Sequence, residues 1–378
     1  MDLGTALLEL LAPLKPGDTL VGARLSHAST ELGLRLTFER AGGHIHIEVF
    51  PDEPAHRYAA RSSKLRFAYR LGRGHSPITS ADGKTLCEAV AVQARANEDR
   101  VLTALRQEPG ARVREITGGR LLEPAGTTSE PFFTISPYIG CLIGCIFCYA
   151  RERVGLTRRL RGLPDARWGS YVDARIDAPD LLRSELAASP PHPVKFCPIV
   201  SDPYHAIESK LELTRRCLTV LSEAPPRPIL LLTRARLIER DLTLLQRLPG
   251  VHVGFSIPTI DDELCSKLEP RAAPIATRFE LLTRFRAAGI RTFAVVQPIL
   301  PGDVDETADR LAAAVSSVSL DVLRGEENGG PVSELCPEAA DIEWVTAQRA
   351  ALKHALETRG VTVWDGELPP GLSSMKFT

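Results

Sequence analysis

The chain has 378 residues with 44% apolar and 25% charged residues, a formal net charge of −1 and eight cysteines. That balance fits about two globular domains; it gives no global field that would draw in nucleic acid, and no apolar run approaches a membrane span. The Met1-Asp2-Leu3 start has no basic segment before an apolar one, so it does not read as a secretory signal, and the cysteine usage points to a reducing, cytoplasmic setting rather than a disulfide framework.

Residues 1–120 read as an α+β accessory unit. Leu3, Leu7, Leu8 and Leu11 recur at helical spacing before Pro13 and Pro16. Leu34, Leu36 and Phe38 alternate with Arg35, Thr37 and Glu39. After the Ala41-Gly42-Gly43 turn, Ile45, Ile47 and Val49 alternate with His44, His46 and Glu48. This predicts a hairpin with one apolar face and one solvated polar face. His44, His46 and Glu48 share that polar face, but nothing else converges on it to make a metal site. Leu65, Phe67 and Tyr69 predict a further strand, and residues 85–106 one long helix.

Residues 121–330 change character. β-type runs at 131–136, 194–200, 228–233, 251–257, 291–299 and 317–323 alternate with helical stretches near 176–188, 208–223, 238–247, 275–288 and 303–315. That pattern predicts an α/β core, an open (β/α)6 partial TIM barrel. Residues 331–378 supply a C-terminal helix, about 337–359, and a tail.

The segment that follows the first of these strands is Cys141-Leu142-Ile143-Gly144-Cys145-Ile146-Phe147-Cys148-Tyr149. Three cysteines at C-x3-C-x2-C can hold an iron–sulfur cluster. A four-iron cluster with three thiolates keeps one iron open, and an open position is the mark of a reactive metal site. A zinc knuckle is the competing reading; it wants a fourth Cys or His close by, and the next histidine is His192. Four of the later strands each end in a hydrogen-bonding residue: Ser201-Asp202, Thr233-Arg234, Ser256 and Gln297. In parallel α/β folds such ends gather at one ligand-binding face.

The cysteine spacing resembles that of the radical S-adenosylmethionine (SAM) superfamily. The surrounding stretches are similar to its spore-photoproduct-lyase-like branch, as a relative rather than the lyase itself. These include Ser136-Pro137-Tyr138, Ser201-Asp202-Pro203-Tyr204, Leu232-Thr233-Arg234, Leu268-Glu269-Pro270-Arg271 and Pro298-Ile299-Leu300-Pro301, all within residues 130–325. The resemblance implies that Cys141, Cys145 and Cys148 hold a 4Fe–4S cluster whose open iron takes SAM. It implies that Phe147 lies near the adenine, that Ser201 and Asp202 meet the SAM amino group, that Arg234 and Ser256 contact its carboxylate or ribose, and that Gln297 seats the nucleoside. It further implies one-electron cleavage of SAM to a 5′-deoxyadenosyl radical, with electrons from a donor such as flavodoxin or ferredoxin.

The family's hydrogen-donor cysteine falls at Ile199 here, which leaves Cys197, Tyr204 and Cys336 as candidates for a donor and no catalytic residue assigned. The expected substrate is a peptide or small molecule. A DNA or RNA lesion is the alternative, supported by Arg151, Arg153, Arg158, Arg159, Arg161 and Arg167 near Trp168 and Tyr171. A non-catalytic iron–sulfur or zinc protein is the third reading.

Overall fold

The computed structural model describes residues 3–29, 34–51, 59–61, 65–72, 77–104, 113–163, 166–196, 199–321 and 329–372. Two compact units emerge. The first comprises Met1–Arg114, Glu123–Pro131 and Ala150–Arg167; the second comprises Glu115–Leu122, Phe132–Tyr149 and Trp168–Thr378.

In the first unit, α1 (Leu3–Leu10) precedes an antiparallel sheet of β1 (Thr19–Leu20), β2 (Ala23–Ser29), β3 (Arg35–Arg40), β4 (Gly43–Pro51), β5 (Ala59–Arg61) and β6 (Leu65–Leu71). The spatial order is β1-β2-β3-β4-β6-β5. The expected hairpin is β3 and β4, with Phe38 opposite Ile45 and Leu36 opposite Ile47. These residues join Leu25, Val49 and Phe67 in an apolar cluster with Leu7 and Leu11 before the sheet and Leu86 and Val90 after it. Full burial of such a side chain contributes about 1.5–3 kcal/mol.

The other face of the hairpin differs from the expectation of a solvated surface. Arg35, Thr37, His46, Glu48 and Arg66 are buried. Polar residues can be buried there because they partner one another. Thr37 Oγ1 lies 3.1 Å from His46 Nδ1, and Arg153 Nη2 donates to both Glu48 oxygens at 2.7 Å. Arg153 belongs to α4 (Ala150–Leu160), the helix that follows the cysteine loop. Read from sequence as part of the barrel core, α4 packs instead within the first unit, where Leu156 joins the apolar cluster.

The long helix expected over 85–106 is two: α2 (Ser80–Arg95) and α3 (Glu98–Ala104). α2 starts five residues earlier because Thr79 and Asp82 form a capping box. It stops because Asn97 turns its amide onto the chain leaving α1, donating to Ala12 O at 2.8 Å.

The second unit is built on seven parallel strands: β7 (Pro131–Thr134), β8 (Val194–Phe196), β9 (Ile229–Thr233), β10 (Val251–Ser256), β11 (Arg291–Val296), β12 (Ser317–Leu320) and β13 (Thr362–Trp364). They lie side by side in chain order. The first six are the barrel strands read from the sequence, and the open (β/α)6 partial barrel is the observed architecture. β13 adds an edge strand in the segment expected to be a tail; Ser317 pairs with Thr362 and Ser319 with Trp364.

Alternation assigns the faces. Val194, Phe196, Leu231, Val253, Phe255, Ala294 and Val318 enter one core cluster, together with Leu182 and Leu186 of α5 (Ala178–Ala187), Leu218 and Leu221 of α6 (Leu213–Glu223), Leu281 and Phe285 of α7 (Ile275–Ala287), and Leu311 of α8 (Val304–Ala314). Gly254 and Phe293, directly paired across β10 and β11, point to the opposite face. A Cβ on Gly254 would overlap the Phe293 ring, and that ring lies 6.3 Å from Trp364. Among the described residues no helix is long and apolar enough to cross a membrane.

Candidate active site

Because the strands are parallel, their carboxyl ends share one mouth of the barrel. The segments that leave β7, β8, β9 and β10 there carry Cys141–Cys148, Ser201-Asp202, Arg234 and the Ser256 terminus. The cysteine loop has no helix or strand of its own between Cys141 and Cys148. It is tied down by backbone bonds: Gly140 N–H to Val200 O at 3.0 Å, Cys148 N–H to Cys145 O at 3.2 Å and Ile146 N–H to Leu268 O at 2.9 Å.

Cys141 and Cys145 are buried and Cys148 is half-buried; none of the described cysteines is in a disulfide. Burial pushes the Cys141 thiol up to about 12, against the backbone N–H groups of Asp202 and Ile143, which favour the thiolate. Burial likewise raises Cys145 well above the usual thiol range, opposed by the Arg234 guanidinium. A cation at the sulfurs would favour the thiolate forms. Among the described residues no three His, Cys, Asp or Glu side chains converge closely enough to hold a single metal ion. A cluster takes each thiolate on a different iron, so three cysteines spread over one loop fit it.

Asp202 was expected to face an ammonium. Its carboxylate is 1% exposed and already accepts three internal donors: Tyr204 N–H at 2.8 Å, Thr233 Oγ1–H at 2.7 Å and Arg234 N–H at 2.8 Å. Burial raises its pKa, and those three hydrogen bonds partly offset the rise. Asp202 therefore joins the ends of β8 and β9.

Arg234 also has a partner. Its Nε donates to Glu269 Oε1 at 2.5 Å, and its guanidinium lies 5.8 Å from the Phe147 ring centroid. Glu269 is fully buried between Arg234 and Arg278, whose Nη2 donates to its other oxygen at 2.5 Å. Burial alone would raise the Glu269 carboxyl, but Arg278 and Arg234 hold it below the usual range. Arg278 Nη1 in turn donates to Ser256 O at 2.6 Å. Phe147, Arg234, Glu269, Arg278 and Ser256 thus form one continuous chain of contacts beside Cys145. Ser201 is buried, its hydroxyl directed to Asp202 O at 3.3 Å. Gln297 is half-buried just past β11.

The hydrogen-donor candidates separate. Cys197 lies outside the described residues. Tyr204 is packed in the core cluster, and its hydroxyl donates to Asp241 at 3.1 Å; Arg215 and Arg240 pair with the same carboxylate. Cys336 is buried at the head of a short 3-10 turn over Pro337–Ala340.

The sequence reading missed Arg278. Its signal was available: Ile275, Leu281, Leu282 and Phe285 mark the buried face of α7, and Arg278 sits on that same face. A charge in an apolar phase announces a buried partner.

Residues 135–315 match the Radical SAM superfamily. An uncharacterized protein of Methanocaldococcus jannaschii is 28% identical over 193 residues, covering 50% of this chain and 70% of its own length. An uncharacterized protein of Mycobacterium tuberculosis is 29% identical over 195 residues, covering 50% of this chain and 56% of its own. A radical SAM Nα-GlyT isomerase of Pseudomonas phage M6 is 26% identical over 198 residues, covering 50% of this chain and 39% of its own. Among solved structures, spore photoproduct lyase with bound AdoMet and dinucleoside spore photoproduct aligns at TM-score 0.44 and 14% identity over 61% of this chain and 75% of that one. Streptococcus suis SuiB bound to S-adenosylmethionine aligns at TM-score 0.40 and 12% identity over 76% and 59%. Residues 135–315 thus carry a radical SAM domain, which supports an enzyme of the radical SAM class and implies SAM and an iron–sulfur cluster as its cofactors.

Proposed function

We propose that the chain cleaves SAM reductively at a 4Fe–4S cluster held by Cys141, Cys145 and Cys148, and abstracts hydrogen from a peptide or small-molecule substrate. The observation that carries this reading is the placement of three thiols on one loop at the carboxyl mouth of the open barrel. When bound, the cluster and SAM supply a one-electron cleavage that yields a 5′-deoxyadenosyl radical. The protein's own residues shape the space around it. Phe147 offers an apolar wall, Asp202 holds the β8 and β9 ends at a fixed separation, and the Glu269-anchored Arg234 places a cation beside Cys145. Ser201 remains the side chain proposed to meet the SAM amino group, and Gln297 the one proposed to seat the nucleoside. The electron donor is a small cytoplasmic protein such as flavodoxin or ferredoxin.

The substrate preference rests on the arginine stretch. Of the residues that would favour nucleic acid, Arg153 is spent on Glu48 and Arg158 is buried. Trp168 is buried edge-on against Tyr171, with ring centroids 5.9 Å apart, so its face is not open to a base. The formal charge of −1 adds no drive for phosphate contact. A DNA or RNA lesion is the second reading, for which Arg151, Arg159, Arg161 and Arg167 of the same stretch are the support. The test is anaerobic: reconstituted protein with SAM and dithionite should release 5′-deoxyadenosine. Absence of that product in protein with full iron would overturn the proposed chemistry. Short oligonucleotides titrated across a salt series then separate the substrate classes; tight binding with a steep salt slope would favour the lesion reading.

A further inference from the structure

Residues Leu268–Arg271 run past the cysteine loop and hold it at several points. Leu268 O accepts Ile146 N–H at 2.9 Å. Arg271 Nε donates to Ile143 O at 3.3 Å, and its Nη2 donates to Gly169 O at 2.8 Å. Glu269, between them, anchors Arg234. The bonds to Ile143 and Ile146 fall between the first and the third cysteine.

The guanidinium lies where two turns touch. Gly144 and Gly169 both have left-handed φ, +75° and +89°. A Cβ on Gly144 would stand 2.7 Å from Arg271 Nη2 and 3.0 Å from Gly169 Cα, and one on Gly169 would overlap the same Nη2. Only glycine permits this approach without displacing backbone or guanidinium. The planar fork bonds two carbonyls, one from each turn, which a lysine ammonium cannot reproduce in that geometry.

A cluster needs three thiolates at a fixed mutual spacing. The loop that carries them has no regular structure and one turn of its own, Cys148 N–H to Cys145 O, so the spacing draws on contacts from outside the loop. Resting on the reading that this loop holds a cluster, we propose that Arg271 is a positioning residue which staples the Gly144 and Gly169 turns together and so fixes the spacing of Cys141, Cys145 and Cys148. Arg271 is solvent-exposed, so replacing it opens no cavity in the core.

The test uses the full chain, prepared anaerobically, as wild type, Arg271→Gln, Arg271→Lys and Gly169→Ala. The readouts are iron per chain, the rate of iron loss to a chelator, the electron paramagnetic resonance spectrum of the dithionite-reduced protein, and the melting temperature of the metal-free protein. Arg271→Gln and Gly169→Ala should lose iron several-fold faster and broaden the spectrum. Arg271→Lys should melt like wild type when metal-free yet still lose iron faster. Wild-type iron retention and spectrum in Arg271→Gln would overturn the proposal. So would full recovery in Arg271→Lys, which would reduce the role to charge. If metal-free Arg271→Gln is unfolded, the lysine variant decides alone. A wild type without a cluster would instead remove the functional reading, and the staple with it.

Discussion

The Asp202 carboxylate accepts the backbone N–H of Arg234 at 2.8 Å, so the two residues meet through the main chain, with Thr233 Oγ1–H and Tyr204 N–H completing the set. A carboxylate that only bound SAM could be removed without cost to the fold. Asp202→Ala leaves three buried donors without their acceptor, at about 1–3 kcal/mol for each group left unsatisfied. The expected result is a metal-free protein that unfolds at lower denaturant, alongside weaker SAM binding in the loaded form. Unchanged denaturation with weakened SAM binding would return Asp202 to a ligand-contact role.

Glu269 stands between two guanidiniums, Arg234 and Arg278, at 2.5 Å from each. Removing one member of a buried ion set leaves the others uncompensated, at about 3–5 kcal/mol. Glu269→Gln should destabilise by that order at neutral pH. The pH dependence has a definite sign. The folded pKa lies below the ordinary 4.5, so the unfolded chain binds the proton more readily. The stabilisation is complete above about pH 4.5 and is lost as pH falls through the folded value. Denaturant titrations of wild type and Glu269→Gln should therefore converge below pH 4.5. A constant gap across pH 7 to 3 would show that the carboxylate charge is not what the site uses.

The barrel was legible because its signals are local. Continuous apolar runs ending in Ser201, Thr233 and Ser256 announce buried parallel strands, and the cysteine spacing lies within eight residues. What stayed hidden depends on long-range partners. His46 and Glu48 read as a wet face because alternation reports only which residues share a side. Nothing near them in sequence announces that Arg153, 105 residues away from Glu48, will bury that side. β13 escaped because Thr362–Trp364 is three residues long and acquires strand geometry only by pairing with β12. Asp202 and Arg234 were identified as site residues, but the partners that occupy them, the Thr233 hydroxyl on Asp202 and the Glu269 carboxylate on Arg234, are neighbours that sequence order does not display.

The Glu48–Arg153 pair gives the first unit its own prediction. Both side chains are nearly excluded from water, at 11% and 12% exposure. Glu48 stays ionised despite burial because Arg153, Arg70 and Arg35 surround it. Arg153→Met should strand that carboxylate and destabilise the chain by about 3 kcal/mol, whereas Arg153→Met with Glu48→Leu should recover most of the loss, since apolar replacement of a whole buried pair is often neutral. Thermal melts of the two variants check this. A double variant no more stable than the single one would mean that the polar face needs the pair for more than mutual neutralisation.

The last prediction separates the cluster cysteines from the others. Cys87, Cys217, Cys265 and Cys336 are also buried, but none of them is on the loop that carries Cys141, Cys145 and Cys148. Cys87 donates to Phe67 O at 3.0 Å, Cys217 is enclosed in the core cluster, and Cys265 Sγ–H points to Glu269 Oε2 at 3.2 Å. A protonated thiol donates in that way; a thiolate on iron cannot. Wild-type protein prepared anaerobically should carry about four irons per chain. Cys145→Ala should lose most of them, because its thiolate is one of only three on the loop and no other cysteine side chain shares that loop. Cys217→Ala and Cys336→Ala should keep the full complement, with Cys217→Ala paying only the small core penalty of a deleted sulfur, visible as a lower melting temperature. Full iron in Cys145→Ala, or one zinc per chain in wild type, would rule out the cluster assignment and leave the loop as a structural metal site.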